Sequence, residues 1–169
     1  WVSKATKKPV WAKMTPNITD ITVPALKAVN GGATGVTAIN TILSIIGINL
    51  KTLRPMPTVE GYSVPGGYSC QAVRPIGLRM VSQLGQALPK DIIINGMGGV
   101  ESAEDAVQYI LLGSHTVQVC TGAMLQGYGL VKELNEGLVK FMEEHGFETL
   151  DEFRGMCLEY LTTHHDLVD

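Results

Sequence analysis

The sequence predicts an α/β fold with a parallel sheet, and three observations carry that prediction. Short runs rich in Val, Ile and Thr alternate with longer helical patterns, as βαβ units do. The bodies of these runs are apolar, as in strands covered on both faces. Glycines gather where the runs end, at Gly31-Gly32, Gly66-Gly67, Gly96 and Gly98-Gly99, so they mark loops rather than low complexity.

Residues 9–15 give the first strand: Val10, Trp11, Ala12 and Met14 are apolar, Lys13 interrupts them, and Thr15-Pro16-Asn17 turns the chain. Asp20 is the expected N-cap of a helix to about residue 30, with Pro24 early in it and Gly31-Gly32 ending it. Residues 35–41, GVTAINT, give the second strand. Residues 72–88 give the second helix, with Ile76, Leu78, Met80, Val81 and Leu84 at mixed three-to-four spacing. Residues 91–95, DIIIN, give the third strand. A helix starts near Ser102, where Glu104 and Asp105 suit the helix dipole. Residues 116–121, TVQVCT, give the fourth strand. Residues 128–144 form an amphipathic helix with Leu130, Leu134, Leu138 and Met142 on one side, and a last short helix is expected over 149–161.

The repeat is near that of a (β/α)8 barrel, but a complete barrel needs about 250 residues. Three architectures stay open: an open four-stranded sheet, a half-barrel that dimerises, or half of a barrel from a longer chain. The start at Trp1 rather than Met favours the last. Residues 42–71 break the rhythm. Connections beyond about 12–15 residues are functional lids or disordered segments. Ile45, Ile46, Leu50, Tyr62 and Tyr68 make this one too apolar for disorder. An ordered lid with a short hairpin is expected, over the C-terminal strand ends where α/β active sites lie.

At 169 residues, 45% hydrophobic and 17% charged, the chain can bury a core, and its balance argues against disorder. The net charge of -3 is scattered, with no basic stripe for nucleic acid and no lysine cluster for a membrane surface. No apolar run approaches the ~20 residues of a membrane span. Cys70, Cys120 and Cys157 are odd in number and widely spaced, which fits reduced thiols in a cytoplasmic protein. No CxxC pair offers an iron–sulfur or zinc site.

The four strand ends are polar or glycine-rich: Lys13-Met14-Thr15, Asn40-Thr41, Asn95 to Gly99, and Cys120-Thr121-Gly122. Met97, Gly98 and Gly99 precede a helix and let a backbone approach an anion. Cys120 and Thr121 add N–H groups and a hydroxyl. A plain tight-turn role is the alternative for the glycines alone; the matching end on the next strand favours phosphate. Asn40 offers a donor beside an acceptor, suited to a pyrimidine or imide edge, and its plainer role is a cap. Lys13 could hold a phosphate, form a Schiff base or face a flavin; the plainer role is a snorkelling surface lysine. Cys120 is expected to be a packed strand-end thiol. His115 precedes its strand, and His164-His165 lie in the tail, with no metal-ligand spacing.

In order, AKMTPNITD, GGATGVTAINT, GGYSCQAVRPIGLRMV, INGMGGVESAEDA and GSHTVQVCTGAM resemble the FMN-binding barrel of dihydropyrimidine dehydrogenase, above all the bacterial NAD-dependent type. The dihydroorotate dehydrogenases are its relatives. The likeness covers nearly the whole chain, including GFETLDEFRGMCL. It implies the C-terminal half (strands 5–8) of a (β/α)8 barrel over residues 1–146, with a short helical tail over 147–169. It implies FMN, with Lys13 at the flavin, Met97, Gly98 and Gly99 as the phosphate loop, and Cys120 and Thr121 as that loop's partner. Asn40 and Thr41 are implied contacts of the pyrimidine.

The resemblance further implies an oxidoreductase that reduces the 5,6 double bond of uracil or thymine with NADH or NADPH electrons. An electron-transfer subunit or domain carrying FAD and iron–sulfur clusters, and an oligomer, belong to the same implication. The family's catalytic cysteine loop matches nothing in this chain, so no residue is assigned as catalytic. Where the family usually has Gly after Ser, this chain has Cys70, whose N–H keeps the flavin contact if φ is negative there. Two other readings stand beside this one. A dihydroorotate dehydrogenase-like enzyme would want an extra cation near Asn40, and none is seen. A non-redox half-barrel binding a phosphorylated ligand is the other.

Overall fold

A computed structural model describes residues 1–168. The chain runs α1 (Val2–Ala5), β1 (Trp11–Lys13), α2 (Thr22–Asn30) and β2 (Gly35–Ala38). β3 (Ile42–Ser44), β4 (Gly47–Asn49), β5 (Arg54–Met56) and β6 (Gly66–Tyr68) follow within the long connection. Then come α3 (Arg74–Ala87), β7 (Ile93–Met97), α4 (Ala103–Leu111), β8 (Thr116–Gln118), α5 (Thr121–Gln126), α6 (Leu130–His145) and α7 (His164–Val168).

β1, β2, β7 and β8 form one parallel sheet in that order, so the α/β fold with a parallel sheet is present. Val36, Ala38 and Ile94 pack with Met80, Val81 and Leu84 of α3 and Ala106 and Tyr109 of α4 in the main core. Gly96 is required where Tyr109 crosses β7, since a Cβ there would stand 2.6 Å from its ring. α4 begins as expected. Ser102 Oγ accepts from the Asp105 N–H at 3.3 Å, and Asp105 Oδ2 accepts from the Ser102 and Glu101 N–H groups at 3.1 and 2.9 Å. Arg74 pairs with Asp105 at 2.5 Å, tying α3 to this cap. No helix of the described residues is long and apolar enough to cross a membrane.

Several boundaries differ from expectation. β7 ends at Met97 instead of residue 95, because Gly96 and Met97 continue the ladder opposite Val117 and Gln118. β8 ends at Gln118 instead of residue 121, and Thr121 opens the unexpected α5. The long connection holds two antiparallel ribbons, β3 with β6 and β4 with β5, rather than one hairpin. The helix expected over 149–161 is two 3-10 segments, Leu150–Glu152 and Met156–Tyr160. Between them Gly155 takes φ +75, and its N–H donates to the Ile110 carbonyl at 3.0 Å. Phe153, fully buried, stacks with Phe147 at 5.1 Å and meets Phe141 at 5.4 Å, so tertiary packing sets the path of this segment.

Candidate functional site

The strand register sets a polar row across the sheet that leads to the site at Lys13. Lys13 pairs with Thr37, Thr37 with Asn95, and Asn95 with Thr116. Laterally paired residues share a face, so four polar side chains cross the sheet in one row. Asn95 Nδ2 donates to Thr116 Oγ1 at 2.6 Å, while its buried Oδ1 has no partner among the described residues. Lys13 is exposed at the edge of the row and forms no ion pair among the described residues.

Above this row the C-terminal strand ends enclose a cleft of about 150 Å³. Lys13, Asn40, Thr41, Met97, Gly98, Gly99, Cys120 and Thr121 all line it. Sequence reasoning singled out each of these eight; the structure brings them together. It also adds Gln118, Ser69 and Cys70 as polar neighbours and Ile39 and Val73 as apolar wall. Gln118 carried no signal beyond its place in the fourth strand.

At one end, Gly98 and Gly99 turn with φ +128 and +68. A Cβ on Gly99 would come within 2.6 Å of the Cys70 carbonyl oxygen. The Tyr109 hydroxyl donates to the Gly98 carbonyl at 2.8 Å, and burial pushes the phenol pKa up, which keeps that proton in place. Arg74 reaches the Gly99 carbonyl at 3.4 Å. Both carbonyls are thus held by protein donors, whereas the Gly98 and Gly99 N–H groups have no acceptor among the described residues. Thr121 and Gly122 begin α5, where first-turn N–H groups have no intrahelical acceptor. Thr121 Oγ1 lies 3.4 Å from Ser69 Oγ.

At the other end, Asn40 Oδ1 accepts from the Thr41 N–H at 2.9 Å. Asn17, read from sequence only as a turn residue, pins this corner: its Nδ2 donates to the Thr41 carbonyl at 3.2 Å and its Oδ1 accepts from the Leu43 N–H at 2.9 Å.

One expectation is corrected, and the condition set for Cys70 is not met. Cys120 is exposed on the cleft rather than packed, because β8 has already ended. Cys70 has φ +74 and ψ -165, not a negative φ. That backbone region belongs almost entirely to glycine. Its thiol donates to Glu101 Oε1 at 2.9 Å, which raises the Cys70 pKa. Gln71 Nε2 donates to Glu101 Oε2 at 2.7 Å.

The cleft therefore pairs a glycine turn and a hydroxyl with a cation and an amide, joined by an apolar wall. The cleft lies at the C-terminal ends of the parallel strands, where α/β folds place their ligand sites. Residues 1–142 match the model of the dihydroorotate dehydrogenase family, and the chain belongs to that family. It is 55% identical over 172 residues to a chloroplastic dihydropyrimidine dehydrogenase (NADP(+)) of Arabidopsis thaliana, covering 99% of this chain and 40% of that protein. It is 42% identical to the NAD-dependent dihydropyrimidine dehydrogenase subunit PreA of Escherichia coli, covering 98% and 41%. It is 41% identical to the catalytic subunit of dihydroorotate dehydrogenase B (NAD(+)) of Thermococcus kodakarensis, covering 94% and 50%. The likeness to dihydropyrimidine dehydrogenase is borne out, with the plant protein more similar than the bacterial subunit. The chain spans 40% to 50% of the length of these relatives.

Proposed function

We propose that the chain is the C-terminal half (strands 5–8) of a (β/α)8 barrel in an FMN-dependent oxidoreductase. The parent enzyme would reduce the 5,6 double bond of uracil or thymine with electrons from NADH or NADPH. The carrying observation is the convergence of eight residues from four separated strand ends on one cleft. Residues 1–146 supply the barrel half and residues 147–169 its tail. The three free cysteines agree with a cytoplasmic setting.

The donor set suits FMN: a glycine turn too close for any Cβ, unused N–H groups and a hydroxyl at the phosphate end. Bound FMN would supply the hydride chemistry. Met97, Gly98, Gly99, Cys120 and Thr121 hold the phosphate end. Lys13 places a positive charge where the ring becomes electron-rich. Asn40 and Thr41 orient the pyrimidine edge, and Ile39, Val73 and the lid residue Tyr68 exclude water. The proton donor and the FAD and iron–sulfur clusters of an electron-transfer subunit or domain lie outside these residues, and the assembly is an oligomer.

The test is the full-length enzyme's spectrum. A yellow flavoprotein bleached by dihydrouracil supports the reading; a colourless protein that takes up no FMN sinks it. Bleaching by dihydroorotate alone transfers the site to the second reading. Lys13→Ala should weaken FMN binding or slow its reduction by about tenfold or more. Unchanged flavin content and turnover would return Lys13 to a surface role.

A further inference from the structure

We propose that Glu101 is a positioning residue whose carboxylate clamps residues 69–71, strained at Cys70, against the Gly98-Gly99 turn. The inference rests on the reading of that turn as the phosphate end of the cofactor site.

The strain is local and specific. Cys70 holds φ +74 with ψ -165, a conformation that a Cβ disfavours and that persists only where the surroundings impose it. The imposing contacts are on Glu101. One carboxylate oxygen accepts from the Cys70 thiol at 2.9 Å, and the other accepts from Gln71 Nε2 at 2.7 Å. Two consecutive side chains are thus tied to one residue.

Glu101 is itself anchored on both sides. Its N–H donates to Asp105 Oδ2 at 2.9 Å, and its carbonyl accepts from Gln126 Nε2 at 3.1 Å, so α4 and α5 back the clamp. The Cys70 carbonyl lies so near Gly99 that a Cβ there would approach within 2.6 Å. Any shift of residues 69–71 is therefore felt at the turn. The same contacts explain how an acid stands two residues beyond an anion-binding turn: protein donors already engage both of its oxygens. With glycine at position 70 the strained conformation costs nothing, and the Gln71 bond is the side-chain tie left to Glu101.

The experiment is a double-mutant cycle in the full-length enzyme stripped of flavin, with FMN affinity read by fluorescence titration. Glu101→Ala should weaken FMN binding about tenfold, or about 1.4 kcal/mol, in the natural background, and less than about twofold in a Cys70→Gly background. Equal losses in both backgrounds overturn the clamp. A second readout needs no flavin. The thiolate is the reactive form of cysteine, and the Glu101 charge opposes it. Glu101→Gln should therefore speed iodoacetamide alkylation of Cys70 several-fold, mapped by peptide mass spectrometry, with Cys120 and Cys157 unchanged. An unchanged Cys70 rate overturns the proposal. A natural enzyme that binds no FMN removes the cofactor reading, and the alkylation rate still decides the clamp.

Discussion

Replacing Gly99 by Ala tests the glycine turn most directly. At φ +68 a Cβ carries a backbone penalty of about 1–3 kcal/mol. The same Cβ would lie 2.6 Å from the Cys70 carbonyl oxygen, 2.9 Å from Arg74 Cβ and 3.0 Å from Gln71 Cα. Two of those three atoms are backbone, which cannot step aside as a flexible side chain can. Overpacking of this kind costs about 1–3 kcal/mol. Gly99→Ala should then destabilise by about 2–6 kcal/mol, of which about half is steric. Two companions separate the contributions. Gly127→Ala has φ +83 and nothing within 4 Å, so it carries the backbone penalty alone. Gly129→Ala has φ -58 with nothing within 4 Å, and should be neutral or stabilising by up to about 1 kcal/mol. The assay is urea unfolding of the three variants followed by circular dichroism. The expected order of midpoints is Gly129→Ala, Gly127→Ala, Gly99→Ala, from highest to lowest. A Gly99→Ala midpoint equal to that of Gly127→Ala would refute the close approach on which the cradle depends.

Tyr109→Phe removes the 2.8 Å hydrogen bond to the Gly98 carbonyl and leaves that oxygen without its donor; a loss of about 1–3 kcal/mol is expected in the same unfolding assay, and no loss would mean that the hydroxyl does not fix the turn. His115 predicts a pH dependence. Burial first, then the Arg154 charge, lowers its pKa below the ordinary 6.5, so the unfolded chain binds the proton more readily than the folded one. The His115 contribution is therefore complete above pH 6.5 and is lost as pH falls through the lower folded-state value. His115→Gln should flatten the acid side of the stability profile below pH 6.5; an unchanged slope would show that another group sets it.

The chemistry of the site was legible because residue type changes abruptly where each apolar run stops. Lys13, Asn40, Gly98-Gly99 and Thr121 stand at such breaks, and the parallel sheet needs only the alternation of runs to bring them together. What was not legible is set by partners far along the chain. β7 extends through Met97 because β2 and β8 offer ladder partners there. α5 has six residues, too few for a periodic pattern. The positive φ at Cys70 contradicts the residue's own preference and comes from Glu101 and Gly99, each about thirty positions away. The polar row through Asn95 depends on register, which no single strand contains. The tail fails as a helix because Gly155 turns it so that Phe153 can enter the aromatic cluster.

The nested ribbons divide the site between two evolutionary regimes. Ser44 pairs with Gly66, so β3 and β6 close the neck of everything between them. A segment whose ends are already joined can gain or lose residues for a small entropic penalty, which grows only logarithmically with length. The outer loop can therefore drift and sample new partners or substrates without disturbing the sheet. The glycine turn has no such freedom, since its geometry is fixed from three sides. Diversity in this architecture should accumulate in the roof, and selection should hold the floor.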